Sequence, residues 1–265
     1  MEEHTIEVDG GVSLEYATAG PAGAPTLLLV HGNGPNWRQF VPQLRTFSDD
    51  WFVVAPSLRG HGRSTLPVAP TRADLTVERL AQDVLALIDH LGVGRTHLVG
   101  NSLGGIIGLE LARTHPDRLR TLTTFGTAGQ LTSSRALVRT MTTGLLVLGT
   151  TGTGWLAGAA VKDRAAGRAI REMFAVADPV AVRLITENIA VYDHTQTLRD
   201  SDVPTLLLRC ALDRSINKNL ASTLKALEVR DDAQVIDMAG AGHFANLEQP
   251  EAFDAALRSF LDAHR

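Results

Sequence analysis

Apolar residues along the chain follow two alternating rhythms. Short strand-like runs recur at Thr26–Val30, Trp51–Ala55, Thr96–Val99, Leu119–Phe125, Thr205–Cys210 and Ala233–Met238. The plainest of them, Thr26-Leu27-Leu28-Leu29-Val30, is apolar on both faces, as a strand sandwiched between helices should be. Between the runs lie stretches with apolar side chains every three or four positions, the spacing of a helix that buries one side. The clearest carries Val77, Leu80, Val84, Leu87, Ile88 and Leu91 and is stopped by Gly92. Further helices are predicted from Trp37 to Phe47, through Ile106, Ile107, Leu109 and Leu111, around Asn219 to Leu227, and from Pro250 to Leu261. Two opening segments, Thr5 to Val8 and Val12 to Ala17, alternate across Asp9-Gly10-Gly11 and read as a β-hairpin. The whole predicts an α/β fold, a mostly parallel eight-stranded sheet with helices on both faces.

Residues 127–200 break this rhythm. They lose the strand runs and become helical and rich in Ala and Arg, which suits a helical cap inserted into one domain of residues 1–265. Within it, Thr140 to Val161 holds no charged residue, a length that raises the question of a membrane span. Half of that stretch is Gly or Thr, poor hydrocarbon-facing residues, so it reads as an apolar lid.

Composition narrows the classes. A net charge of -4 leaves no basic footprint for nucleic acid. Cys210 is the only cysteine, so no intrachain disulfide forms, and its place at the end of an apolar run makes it a small core residue. Met1-Glu2-Glu3-His4 is acidic and lacks the pattern of a secretory signal, and the expected location is cytoplasmic. No His, Cys and carboxylate cluster has metal-ligand spacing, and the glycines fit a tight turn better than a dinucleotide site, so neither metal nor cofactor is expected. The expected partner is a small-molecule substrate, with a homodimer left open.

Candidate chemistry centres on Gly100-Asn101-Ser102-Leu103-Gly104, between a strand and an apolar helix. A serine hydroxyl becomes a useful nucleophile only when it is held clear of the backbone beside a base, with donors aimed at the developing oxyanion. Glycines two before and two after the serine permit such a strand-to-helix turn. The pattern alone arises by chance; its setting makes it informative. The base is expected at His243, in the glycine-rich loop between the last strand and the last helix. His31 and His61 also lie in glycine-rich loops, and His31 reads as a brace for the neighbouring backbone. Asp213, three residues beyond the Thr205–Cys210 run, is the carboxylate expected to fix the imidazole tautomer. His31-Gly32-Asn33-Gly34 is expected to supply an oxyanion hole, the amide of Asn33 joining that of Leu103. Expected substrate contacts are Gly32, Gly34, Trp37, Asn101, Leu145, Leu148, Trp155, Phe174 and Phe244.

Taken together, the His31-Gly32 loop, Arg59-Gly60-His61-Gly62-Arg63-Ser64, the Ser102 turn, Asp213 and His243 resemble the α/β-hydrolase superfamily over nearly the whole chain. The order Ser102, Asp213, His243 is the one that fold implies. The resemblance implies hydrolysis of a small, largely apolar carboxylic ester or lactone. Gly34-Pro35 and Gly100-Asn101-Ser102 also look like the branch that splits carbon–carbon bonds in ring-cleavage products. Members of that branch carry a tryptophan where Phe244 stands and a substrate-binding cap arginine, which Arg164, Arg168, Arg171 and Arg183 do not clearly match. Ser57 replaces an acidic residue usual before the Arg59 turn. A small-ligand receptor on the same fold is the non-enzymatic alternative.

Overall fold

Five of the six apolar runs form strands covered on both sides, the sixth, Ala233–Met238, forms a largely exposed edge, and the hairpin adds two more. Described here are residues 1–9 and 11–265 of a computed structural model; Gly10, in the expected hairpin turn, lies outside them. The strands are β1 (Glu2–Val8), β2 (Val12–Ala19), β3 (Thr26–Val30), β4 (Phe52–Pro56), β5 (Thr96–Asn101), β6 (Leu119–Phe125), β7 (Gln130–Thr132), β8 (Val191–Asp193), β9 (Thr205–Cys210) and β10 (Ala233–Met238). Eight of them make one sheet in the order β1-β2-β4-β3-β5-β6-β9-β10. β1 pairs antiparallel with β2, and β2 with β4; every other pairing in that sheet is parallel.

Period-two alternation divides the strand residues between two cores. Leu28, Val30, Leu98 and Leu122 pack on one face with helices Val77–His90 and Leu103–Thr114. Leu27, Leu29, Val53, Val99 and Leu208 pack on the other with helices Val41–Thr46 and Pro250–Asp262. Burying each such leucine or valine contributes about 1.5–3 kcal/mol. β3 has β4 on one side and β5 on the other, so the chain reverses its direction of winding there. Such a switch point leaves a crevice beyond the carboxyl ends of the strands, where residues 31–34 and Ser102 lie.

Between β6 and β9 the chain makes a helical excursion: Arg135–Ala159, Arg164–Ala175, Pro179–Asn188 and Thr195–Asp200. Ser134, Asp163 and Asp178 cap the first three through side-chain oxygens. The excursion also contains a small antiparallel ribbon, β7 with β8, which the sequence pattern does not reveal because three residues are too few to show alternation. The first helix breaks at Gly149, whose backbone is not helical (φ 65°). No helix among the described residues is long and apolar enough to cross a membrane.

Candidate active site

Ser102 sits on the turn between β5 and helix Leu103–Thr114 with φ 50° and ψ -113°, the one positive φ outside glycine among the described residues. That backbone costs on the order of 1–3 kcal/mol and persists only where its surroundings enforce it. Here the Ser102 amide donates to Phe125 O on β6 at 3.0 Å, and its carbonyl accepts from the Ile106 amide at 3.1 Å and from Thr127 Oγ1 at 3.1 Å. The flanking glycines are required by close approach. A Cβ on Gly100 would lie 2.3 Å from the Gly104 carbonyl carbon, and one on Gly104 would lie 2.1 Å from Val30 O.

Beyond β9, Asp213 caps the short helix Arg214–Asn217 and accepts from the Ile216 amide at 3.2 Å and from Ser215 Oγ at 2.7 Å. Its other oxygen meets His243 Nδ1 at 2.6 Å. Burial alone would raise the Asp213 pKa, but the hydrogen bonds from His243, Ser215 and Ile216 hold it below the usual carboxylate range. With Nδ1–H committed to Asp213, Nε2 is the nitrogen left with a lone pair. The His243 side chain is 32% exposed, so a ligand can reach it. Gly126, directly after β6, makes room for this ring: a Cβ there would lie 3.1 Å from Nδ1 and Cε1 of His243.

Asn101 was expected at the substrate; it is instead fully buried and occupied elsewhere. Its Nδ2 donates to Phe125 O at 3.2 Å and His243 O at 3.0 Å, while Oδ1 accepts from Gln39 Nε2 at 3.0 Å. Gln39 also reaches Asn246 Oδ1 at 3.2 Å, and Asn246 Nδ2 donates to Gln43 Oε1 at 3.0 Å. Gln43 Nε2 ends the chain on Asp254 Oδ1 at 2.8 Å. A buried polar network thus joins the residue before Ser102 to the loop of His243. Sequence reading missed Gln39, Gln43 and Asn246; the available signal was two glutamines four apart on the inner side of a predicted helix.

The loop after β3 is braced by two buried imidazoles. His31 donates Nδ1–H to Gly32 O at 2.6 Å and accepts the Leu58 amide at Nε2, 2.9 Å. His61 donates Nδ1–H to Arg59 O at 3.1 Å and accepts the Gly34 amide at Nε2, 3.0 Å. These tautomers are assigned from the partners. Burial pushes the His61 pKa down to about 4, and burial together with nearby His61 holds His31 well below its ordinary value. The loop touches the nucleophile turn, since a Cβ on Gly32 would lie 3.3 Å from Ser102 Cβ. Leu103 is the first residue of its helix and its amide has no intrahelical partner. No hydrogen bond among the described residues occupies the Asn33 amide. The Asn33 side chain donates to Val182 O at 2.9 Å and Thr186 Oγ1 at 3.1 Å, both on helix Pro179–Asn188.

Ser57 finds its explanation across the sheet. Its hydroxyl donates to Glu15 Oε2 at 3.1 Å, and Glu15 also accepts from the Arg63 amide at 2.9 Å and Arg63 Nε at 2.9 Å. A carboxylate from β2 therefore reaches the Arg59 turn, a role that sequence reading missed. Arg59 itself makes a buried two-pronged pair with Asp83, both contacts 2.5 Å.

Of the expected apolar contacts, Phe174 and Phe244 meet in one cluster with Ile170 and Met173. Phe244 packs edge-on to His243 at 5.3 Å between ring centres, and the Phe174 ring covers Gly34, where a Cβ would lie 2.2 Å from it. Leu145 packs with Ala177 and Val182. Leu148 and Trp155 are 48% and 59% exposed, and Trp37, at 2%, belongs to the core beneath the sheet. These three depart from expectation because apolar character does not tell a pocket wall from a core or an outer face. A cleft of about 490 Å³ lies between Asn36, Arg38, Gly62 and Arg63 on the body and Ala169, Glu172, Met173 and Val176 on the excursion. Its lining includes none of Ser102, Asp213 or His243; Met173 is where it abuts the aromatic cluster. Of the four arginines weighed as cap ligands, Arg183 pairs with Glu187 at 2.8 Å, and Arg164, Arg168 and Arg171 are exposed around a separate depression.

A strained serine beyond β5, an Asp–His pair beyond β9 and β10, and a parallel sheet with this strand order define a hydrolase architecture. The sequence profile of the alpha/beta hydrolase family matches residues 27–256, and the chain belongs to that family. It is 30% identical over 258 residues to 3-oxoadipate enol-lactonase 2 of Acinetobacter baylyi, covering 94% of this chain and 93% of that one. An esterase from Thermogutta terrifontis superposes with a TM-score of 0.83 at 25% identity, covering 100% of both chains. The enol-lactonase from Burkholderia xenovorans shares the fold, with a TM-score of 0.86 at 24% identity over 98% of this chain and 100% of that one.

Proposed function

We propose that the protein hydrolyses a small, largely apolar carboxylic ester or lactone through an acyl-enzyme on Ser102. In the first half-reaction His243 Nε2 takes the Ser102 proton as Oγ attacks the carbonyl, forming a tetrahedral oxyanion. The amides of Asn33 and Leu103 donate to that oxyanion, each worth about 3 kcal/mol or more of barrier lowering. The imidazolium then returns its proton to the leaving alcohol oxygen as the C–O bond breaks. In a lactone that alcohol stays tethered to the acyl group. Water, deprotonated by the same imidazole, attacks the ester carbonyl and releases acid and free Ser102. Asp213 keeps the imidazole in the required tautomer and stabilises its cation.

The observation that carries this reading is the 2.6 Å contact between Asp213 and His243, beside a serine held at positive φ. The likeness to an enol-lactonase and an esterase supports the substrate class, and Phe174 and Phe244 suit an apolar acyl group. The helices between residues 127 and 200 act in this reading as a cap on a single domain. Arg183 is paired with Glu187, and Arg164, Arg168 and Arg171 surround a depression whose lining lacks Ser102, so carbon–carbon hydrolysis gains no support from these four.

Labelling with a fluorophosphonate tests the nucleophile: the protein should label, and Ser102→Ala should abolish labelling and lower kcat about 10⁴-fold or more. A panel of p-nitrophenyl esters, lactones and a ring-cleavage dienoate tests the substrate class. Turnover of the dienoate alone would overturn it, and absence of labelling with retained ligand binding would favour a receptor.

A further inference from the structure

The excursion carries an outer surface that the hydrolytic site does not use. Along helix Arg135–Ala159, Leu146 and Val147 are 72% and 77% exposed, and Met141, Leu148, Trp155 and Leu156 are exposed as well. Surface apolar residues scattered singly need no explanation, but three consecutive exposed ones, Leu146, Val147 and Leu148, with Trp155 and Leu156 beyond the bend, mark an interaction surface. The break at Gly149 follows directly on Leu146-Val147-Leu148, leaving an apolar corner at the bend. No charged residue lies between Arg139 and Lys162, whereas both flanks are basic. Residues 135–171 hold six basic side chains, Arg135, Arg139, Lys162, Arg164, Arg168 and Arg171, against one acid, Asp163, in a chain of net charge -4. Asp163 is already engaged in capping its helix. Arg164, Arg168 and Arg171 form no ion pair among the described residues and surround one depression of about 390 Å³. The guanidinium of Arg171 stands over the exposed Trp155 ring, 5.4 Å from its centre.

We propose that this face docks reversibly on an anionic lipid surface. The apolar corner and Trp155 enter the headgroup boundary, and the flanking arginines meet lipid phosphates. Charge decides between this occupant and a second copy of the chain. A two-fold pair through the same face would set the six cations near their own images, whereas an anionic bilayer neutralises them. The proposal is independent of the hydrolytic chemistry and holds equally for Ser102→Ala.

Flotation of the full chain with vesicles tests it, using phosphatidylcholine alone and an equimolar mixture with phosphatidylglycerol. Binding is expected only to the mixed vesicles and should be largely lost at about 0.5 M salt. Trp37 and Trp51 are buried in the core, so a blue shift of tryptophan emission on binding reports Trp155. Removing two cations in Arg164→Gln/Arg168→Gln should weaken partitioning roughly ten- to thirtyfold. Leu146→Ser/Val147→Ser, at exposed positions where folding is unaffected, should reduce both binding and the blue shift. The proposal is overturned if neither vesicle binds, or if binding ignores both double variants. A concentration-dependent dimer dissociated by Leu146→Ser/Val147→Ser, without lipid binding, also overturns it and assigns the face to self-association.

Discussion

The eight-stranded body and the helical excursion bury apolar residues on different scales. Leu98, Leu28 and Leu122 sit in a continuous core closed by two helices, and Arg59 and Asp83 are sealed beneath the hairpin side of the sheet. Within the excursion, helix Pro179–Asn188 joins that core through Ala181, Leu184 and Ile185, whereas the outer helices have only small clusters, Ile170, Met173 and Phe174 with Phe244 of the body in one, Leu145 with Ala177 and Val182 in the other. These outer helices approach through glycines instead, since a Cβ on Gly158 would lie 2.3 Å from Gly167 O. The difference teaches that Ser102, Asp213 and His243 are positioned by the body. The two outermost helices of the excursion, Arg135–Ala159 and Arg164–Ala175, bury few apolar side chains between them.

The largest test strikes the body. Asp83→Ala leaves the Arg59 guanidinium buried without its carboxylate and should cost about 3–5 kcal/mol, read as a lowered urea midpoint at constant slope. Leu98→Ala should cost about 2–5 kcal/mol. Leu145→Ala should fall at the bottom of that range, about 2 kcal/mol; equal costs for the two leucines would erase the contrast drawn here.

Acid provides a third probe. His61 is neutral in the folded protein with its pKa at about 4, against 6.5 as its ordinary value. The unfolded chain therefore binds a proton first as pH drops below 6.5, and stability is lost from there down through about 4, where the loss levels off. By pH 4.5 this one group should remove about 2–3 kcal/mol. His61→Asn lowers stability at neutral pH but should flatten the decline measured between pH 7 and 4.5 by that amount. A last effect is expected at Gly149→Ala. A Cβ there meets nothing within 4 Å, so only the backbone, at φ 65° and ψ -178°, opposes the change, at a cost on the order of 1–3 kcal/mol.

The sheet was legible because its strands form short runs between turn signals: Thr26–Val30, Leu119–Phe125, Thr205–Cys210 and the largely exposed edge strand Ala233–Met238 are observed with the boundaries expected of them. The places of Ser102, Asp213 and His243 just past β5, β9 and β10 were legible for a related reason, and the structure brings Asp213 and His243 into contact. Polar residues with long-range partners were not. Nothing near Glu15 in the chain says that it serves Ser57, forty-two residues away, and Asn101 looks like a substrate contact until Gln39 and His243 are seen to occupy it. The excursion was legible as helical, but which of its apolar side chains face inward depends on a bend at Gly149 and on glycine crossings that no periodicity encodes.

The side-chain amide of Asn33 moors helix Pro179–Asn188 to the loop after β3. The same helix is tied down by the Asp178 amide on Gly60 O at 2.8 Å and by Asn188 Nδ2 on Leu75 O at 2.9 Å. Were this helix to lift, it would pull on residue 33 through these side-chain bonds, so in the proposed reaction the seating of the helix and the alignment of the Asn33 amide would be coupled.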